Sequence, residues 1–436
     1  MNEKTPTVEP RCVATSGVVY QCSVSETQRR ESLMLGDDQW SSNPCANESN
    51  IFKDARWPTD LLEKDELHDL VPFSVTPKAE PVYCTAVYPG FSLQGLSTIP
   101  SVKAAPNRKK HPPLLYSLLF TIDPSTTCFL TSTRDHPIHL QDALTPRIRG
   151  TYPLTSPTTE KFIAPNSVLW SSSGTKFICG SDALISVFDV SRVGAGPAER
   201  HPTIPSKRKK IVGGGVGMKG IVSALGLSDQ TGGGILAAGT FTRMIGLYGS
   251  EGSGDCIAVF PIEQAGEGSS TGRAGAGITA LEWSPCGRYL YVAERKSTEI
   301  LVYDIRVAGR RLGSLTGRTA SSNQRLGIHV VLTDRGHEVW AGCDDGTVRV
   351  WQNATGDSEM SRQPDRAWKA HDGPVAATIV HPSGTVVGTC SGQRDVSIDT
   401  DEGPEESDVC TKLLSASPAS RRTKQIFDNT LKIWKI

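Results

Sequence analysis

Asp345-Gly346-Thr347-Val348-Arg349-Val350-Trp351 opens on a tight Asp-Gly turn, then alternates apolar with polar residues until it closes on an aromatic ring. Asp-Gly accepts the positive φ of a hairpin turn, and a period of two buries one face of a strand. Degraded copies of this unit recur along the chain. Each has an apolar strand, a Pro/Ser/Gly-type turn, a second apolar strand, a short polar turn and a third strand ending on an aromatic. The copies run Tyr116 to Ala143, Ala164 to Val190, Gly220 to Gly249, Gly277 to Ile305, Asn323 to Trp351 and Gly373 to Arg394, the last resuming at Asp428 to Trp434. Third strands end at Phe188-Asp189, Leu247-Tyr248, Tyr303-Asp304, Trp351 and Trp434. The spacing slightly exceeds the ~40–45 residues usual for WD repeats. The expectation is an all-β WD-repeat β-propeller over residues 51–436, of seven blades with an incomplete first blade.

The sector that these copies do not supply must come from the N-terminal side. Ile51 to Asp60 reads as a first strand followed by a Pro-Asp turn, after which Leu61 to Leu70 becomes acidic and helix-like. Either this blade is atypical or a hairpin's worth of sequence is missing at Asp60/Leu61, and the second reading is preferred. Within the extension 1–50, the weak alternation of residues 18–24 is expected to pair with the outer edge of the last blade, joining the two ends of the chain. The glycine-rich connectors 191–217 and 250–276 are expected as long loops. Residues 395–427, acidic and then Ser/Ala/Arg-rich, are expected as a disordered insertion in the last blade.

Bulk properties narrow the function. Formal net charge is zero over 436 residues, so a nucleic-acid partner would have to be held by a local patch. No apolar run approaches the ~20 residues needed to span a bilayer, and Met1 to Pro10 lacks the apolar core of a secretion signal. The 11 cysteines form no CxxC pair and no zinc spacing, which suits free thiols in a reducing compartment. There is no Gly-x-Ser-x-Gly, P-loop or paired-carboxylate motif. Gly213-Gly214-Gly215 and Gly232-Gly233-Gly234 do not sit between a strand and a helix, as a phosphate cradle requires. No catalytic residue, metal, cofactor or small-molecule substrate is therefore expected, and the chain reads as a non-enzyme.

The turn between strands two and three of a blade lies on the same propeller face as the start of strand one. Those turns carry Arg134-Asp135-His136, Ser181-Asp182, Thr242-Arg243, Arg295-Lys296, Asp344-Asp345 and Gln393-Arg394; the strand-one starts carry Lys219, Asn323-Gln324-Arg325 and His371. One face should therefore be positively charged, and arginine at a constrained turn suits bidentate phosphate contact and stacking on bases. An arginine beside an aspartate, as at Arg134-Asp135, can equally do no more than hold its hairpin. Lys207-Arg208-Lys209-Lys210 is the candidate nuclear-import signal, and His371 is expected to make a structural hydrogen bond inside its blade.

With those residues laid out, the chain resembles the telomerase Cajal body protein family, as a divergent fungal-type member. Matching stretches are Thr131-Ser132-Thr133-Arg134-Asp135-His136-Pro137-Ile138-His139 followed by Asp142-Ala143, then Ser322-Asn323-Gln324-Arg325 and Thr389-Cys390-Ser391-Gly392-Gln393-Arg394. Ile51-Phe52-Lys53 to Trp57 and Gly220-Ile221-Val222-Ser223 also match, so the likeness runs from about Ile51 to Trp434. The resemblance implies a nuclear, non-enzymatic scaffold that binds small nuclear or small Cajal-body-type RNA, telomerase RNA included, together with proteins of those particles, or one that acts in pre-mRNA splicing. It carries the family's motifs onto Arg134, His136, Asn323, Gln324, Arg325, Gln393 and Arg394, beside the turn cations Arg243, Arg295 and Lys296. The alternative is a general WD-repeat adaptor that docks protein and no RNA.

Overall fold

The computed structural model describes residues 10–16, 48–52, 68–70, 72–77, 82–89, 127–143, 145–204, 217–228, 233–262, 275–307, 309–334, 336–353, 361–381, 384–392 and 428–436. Among them the architecture is an all-β WD-repeat propeller, its strands antiparallel within each blade apart from two added edge strands. From the inside outward, blade 1 comprises Val82–Val87, Cys128–Thr133, Ile138–Asp142 and Ile148–Tyr152. Blade 2 comprises Ser167–Trp170, Lys176–Ser181, Leu184–Asp189 and Glu199–Pro202. Blade 3 comprises Val222–Leu227, Leu236–Thr240, Met244–Tyr248 and Cys256–Pro261. Blade 4 comprises Ile278–Trp283, Tyr289–Glu294, Ile300–Asp304 and Arg310–Leu315. Blade 5 comprises Ile328–Thr333, Gly336–Gly342, Thr347–Gln352 and Arg366–Lys369. Blade 6 comprises Val375–Val380, Val386–Ser391, Leu431–Lys435 and, as its outer strand, the N-terminal Arg11–Ser16.

The core lies between blades. Leu130, Leu140, Tyr152, Phe177 and Phe188 fill the space between blades 1 and 2, and Ile245, Leu247, Ile278, Leu290 and Tyr303 that between blades 3 and 4. Each such side chain contributes ~1.5–3 kcal/mol by leaving water. The inner strands touch their neighbours in chain order from blade 1 to blade 6. Repeated polar bonds fix that order. Trp170, closing the inner strand of blade 2, donates its indole N–H to the Ala86 carbonyl of blade 1 at 3.0 Å, and Trp283 of blade 4 donates to Gly226 of blade 3 at 3.1 Å. Gly180 is required by close approach, because a Cβ there would lie 2.8 Å from the Val222 carbonyl of the next blade.

Blade 6 carries a buried polar relay. The Trp434 indole N–H donates to Thr389 Oγ1 at 2.8 Å, Thr389 Oγ1 lies 2.8 Å from His371 Nε2, and His371 Nδ1 lies 3.1 Å from Asp428 Oδ2. A neutral imidazole protonated on Nδ1 satisfies every link. Burial pulls the His371 pKa below its usual value, although the Asp428 carboxylate beside it pulls the other way. The expected structural role of His371 is what the fold displays.

Several sequence expectations are corrected. Seven blades were expected; the described residues form six blades of four or more strands, and the segment read as an incomplete first blade supplies a two-stranded sheet, Glu48–Phe52 with Pro72–Pro77. The inner strand of blade 1 is Val82–Val87, paired Val82 to Thr133, whereas the strand expected from Tyr116 lies outside the described residues. The strand that closes blade 6 is Arg11–Ser16, and the expected 18–24 also falls outside them. The connectors 191–217 and 250–276 are not loops throughout, since they contribute the outer strands Glu199–Pro202 and Cys256–Pro261. Glu199–Pro202 is polar and charged, with exposed and half-buried positions, whereas Cys256–Pro261 is apolar but mostly half-buried or exposed, and lies inside a glycine-rich stretch that reads as loop. Residues 395–427 lie outside the described residues.

Candidate nucleic-acid interface

Antiparallel alternation puts each strand-two-to-three turn beside the lead-in to strand one, and polar bonds stitch these segments from blade to blade. Ser132 Oγ of blade 1 donates to the Pro165 carbonyl before blade 2 at 2.9 Å. Ser167 of blade 2 donates to Val222 of blade 3 at 2.9 Å, and Ser223 of blade 3 to Ile278 of blade 4 at 2.7 Å. The Lys296 amide of blade 4 donates to Ser322 before blade 5 at 3.3 Å, and the Gln324 amide group donates to the Gly392 carbonyl of blade 6. The described turns and lead-ins therefore share one face.

The turn backbone is strained in a repeating way. Asp135, Ala183, Arg243 and Lys296 stand at the left-handed corner of their turns, with φ of 56°, 47°, 64° and 55°, where blade 5 has Gly346 at 78°. A side chain there costs ~1–2 kcal/mol per residue relative to the right-handed region. Two of these four corners carry cations. The inner strands of blades 1, 3, 4 and 6 each begin with a bulge, at Val82/Cys84, Val222/Ala224, Ile278/Ala280 and Val375/Ala377. Bulges re-aim side chains at sheet rims. In blade 1 the bulged residue is Tyr83, whose hydroxyl accepts the Arg134 Nε–H at 3.1 Å.

The candidate residues divide by environment. Arg134 and His136 are exposed, and His136 Nδ1 lies 2.9 Å from the Arg134 carbonyl, so that nitrogen carries the proton. Lys296, Asn323 and Lys219 are also exposed. Arg295 is half-buried: its Nε–H donates to Ala276 at 2.8 Å and its guanidinium lies 4.2 Å over the Phe241 ring. Burial, with the charge of Arg325 nearby, lowers the Arg295 pKa below the usual guanidinium value. Arg243 is committed to the fold. It makes a two-pronged ion pair with Glu294, at 2.8 and 3.1 Å, and that carboxylate side chain is only 2% exposed. Arg325 is 7% exposed and donates both terminal nitrogens to the Asn166 carbonyl before blade 2, each at 3.1 Å. It too lies over Phe241, at 5.8 Å. Gln393, Arg394 and the import candidates Lys207, Arg208, Lys209 and Lys210 fall outside the described residues.

The structure thus gathers Arg243, Arg295, Lys296, Asn323, Gln324 and Arg325 on blades 3 to 5. Through Asn166 and the Pro165–Ser132 bond, that group is linked to the Arg134 turn of blade 1. Sequence reading missed Tyr83, Phe241, Glu294 and Arg318. A carboxylate ending an apolar strand beside two cations, as in Ala293-Glu294-Arg295-Lys296, was the one available signal for an internal ion pair. Among the described residues no cluster of His, Cys, Asp and Glu could hold a metal ion, and no helix is long and apolar enough to cross a membrane.

No protein-family model matches the chain. It is 31% identical over 301 residues to telomerase Cajal body protein 1 of Bos taurus, covering 69% of this chain and 51% of that protein. To the protein of the same name in Homo sapiens it is 29% identical over 300 residues, 69% of this chain and 50% of that protein. A third relative is guanine nucleotide-binding protein negative regulator 1 of Schizosaccharomyces pombe, 27% identical over 330 residues, 74% of this chain and 75% of that protein. The chain spans about half the length of the telomerase Cajal body proteins that it matches. With the order of its Arg-Asp-His, Asn-Gln-Arg and Ser-Gly-Gln-Arg motifs, its propeller and these relatives taken together, the chain is a divergent WD-repeat relative of the telomerase Cajal body proteins.

Proposed function

We propose that this WD-repeat scaffold is a nuclear, non-enzymatic binder of small nuclear or small Cajal-body-type RNA. On this reading it serves assembly or localisation of small ribonucleoproteins, with their proteins as further partners, in telomerase-RNA particles or in pre-mRNA splicing. The observation that carries the reading is the exposed Arg134 turn with its Tyr83 anchor, on one face with Lys296 and the Arg295–Phe241 pair. An anchored guanidinium is preorganised for phosphate, and an aromatic-cation pair suits stacking on a base. Relatives named for telomerase and the Cajal body support the same reading. In the proposed mode Arg134, His136, Lys296 and Asn323 touch the RNA directly, and Arg295 offers its stacked guanidinium.

The test is a binding titration of purified chain against a small nuclear RNA pool, with crosslinking and sequencing of what is bound. Arg134→Ala and Lys296→Ala should each weaken binding and flatten its dependence on log salt by roughly 0.7 per lost phosphate contact, at unchanged melting temperature. Wild-type affinity in both variants would remove the RNA reading. A second reading, a protein-docking adaptor without RNA, is favoured by the name of the S. pombe relative and by the internal use of Arg243 and Arg325. It expects crosslinked RNA at background and loss of a bound protein in the same variants.

A further inference from the structure

We infer that Arg325 and Arg318 are positioning residues: a buried brace across the channel mouth that fixes the face on which the ligand binds. The bond from Arg325 to Asn166 runs from the lead-in of blade 5 to the lead-in of blade 2, residues 159 apart in sequence. It skips blades 3 and 4, so it crosses the mouth and does not follow the ring. The side chain before it, Gln324, reaches the opposite way to Gly392 on blade 6. Two consecutive residues thus tie blade 5 to blades 2 and 6.

Arg318 lies beneath them, 1% exposed. One amino nitrogen donates to the Leu326 carbonyl at 2.7 Å, immediately after Arg325, and the other to the Glu294 carbonyl at 3.3 Å, immediately before Arg295-Lys296. Glu294 in turn holds Arg243 of blade 3 through its carboxylate. One segment, 318–326, therefore sets where the exposed Lys296 and Asn323 stand relative to each other and to blade 2. Guanidinium is the group this needs. It offers a planar fork of donors, stays charged when buried, and sits over the face of Phe241, a combination that a lysine ammonium does not reproduce.

Burial separates this role from direct contact. The exposed cations can neutralise phosphate, whereas Arg325 spends both terminal nitrogens on a backbone carbonyl. The ligand half of the inference rests on the RNA reading above; the brace itself does not. Hydrogen exchange on the ligand-free chain tests the brace first. In Arg325→Met the amides of 166–170 and 326–330 should exchange faster, with blade 1 amides 128–133 unchanged and the melting temperature lower by about 2–5 °C. Unchanged exchange at 166–170 overturns the inference. If Arg325→Met does not fold, Arg325→Lys keeps length and charge and should still raise exchange at the same amides; wild-type exchange there overturns it equally.

RNA titration of the folded variant is the second arm. Affinity should fall about tenfold while the salt slope keeps its wild-type value, in contrast to Lys296→Ala, whose slope falls. A slope reduced by one contact in the Arg325 variant would make Arg325 an RNA contact and refute the positioning role. Raised exchange combined with no RNA binding by the wild-type chain would keep the brace and remove the RNA reading alone.

Discussion

Replacing Asp428 by alanine should remove a large share of the stability of the last blade, and the size of the loss follows from its contacts. The carboxylate side chain is 10% exposed and accepts from His371 Nδ1 at 3.1 Å, the Asp372 amide at 2.9 Å and the Lys432 ammonium at 3.4 Å, besides the Thr430 hydroxyl. Asp372 and Lys432 reach water, so their donors can be satisfied elsewhere. His371 is out of reach of water, because its side chain is fully buried, and its Nδ1 keeps only a long 3.4 Å contact with the Thr430 hydroxyl. The variant loses one charge-assisted hydrogen bond, worth ~1.5–3 kcal/mol, and leaves a buried N–H poorly satisfied at a further ~1–3 kcal/mol. A loss of about 3–4 kcal/mol is expected, out of a total of ~5–15 kcal/mol for a folded protein. Urea denaturation followed by far-ultraviolet circular dichroism measures it. Trp434→Phe is the comparison: it removes the indole N–H together with part of a buried ring, Thr389 keeps its bond to His371, and the expected loss is about 1–2 kcal/mol. A loss below about 1 kcal/mol for Asp428→Ala, or equal losses for the two variants, would refute the relay as the lock on blade 6.

Other perturbations probe the remaining joints. Gly180→Ala places a methyl group 2.6 Å from Val222 Cγ1 and 2.8 Å from its carbonyl, so thermal denaturation should show a loss of about 1–3 kcal/mol; a neutral result would mean that blades 2 and 3 do not approach as described. Arg243→Ala leaves the Glu294 carboxylate buried without its fork and should cost ~3–5 kcal/mol, part of which the further change Glu294→Gln restores. Lys296→Gly relieves a left-handed corner at φ 55° and should raise stability by ~0.5–1 kcal/mol after the chain-entropy cost of glycine, while lowering RNA affinity; loss of stability would contradict the strain. Acid should act in two stages. His371 and His337 have pKa values lowered by burial, so the stability from keeping them neutral is complete above 6.5 and declines below it. Burial alone would raise the Asp428 pKa, but its hydrogen-bond donors overturn this and hold it well below 3.8, so its contribution is lost further down, below about pH 4. A pH titration of the urea midpoint with no decline between 6.5 and 4 would contradict the histidine stage.

How much of this was legible depends on what the residues face. Inner and middle strands are buried on both sides and announce themselves as apolar runs bounded by turns, as in Ile278–Trp283 and Tyr289–Glu294. Blade 1 hid its inner strand because some forty residues separate Val82–Val87 from its partner Cys128–Thr133, and local grammar offered Tyr116 in its place. Outer strands such as Glu199–Pro202 alternate exposed with half-buried positions and carry charge, so composition marked them as loops. The turn argument put the cations of several repeats at equivalent places, and Arg243, Lys296 and Gly346 do occupy the same backbone corner. What the pattern could not reveal was which arginines turn inward. Arg243 and Lys296 share that corner, yet one is drawn to Glu294 and the other stands exposed, a difference set by a neighbouring blade and not by local sequence.

That inward turn changes what an arginine-lined face can do. Counting cations suggests an attractive field, but the charge of Arg243 is cancelled by Glu294 at 2.8 Å and the formal net charge of the whole chain is zero. Beyond a Debye length of ~8 Å in physiological salt little remains to steer an anion toward the face. On the proposed reading an anionic ligand is then held by short-range contact with Arg134, Lys296 and the Arg295–Phe241 pair, at a spacing that the proposed brace of interior arginines would set. The same logic separates two kinds of failure. Loss of a surface cation weakens one contact and leaves the others in place, whereas loss of an interior arginine shifts several contacts together. Stability measurements and salt slopes distinguish the two, since only the interior change destabilises the fold and only the surface change alters the number of phosphates neutralised.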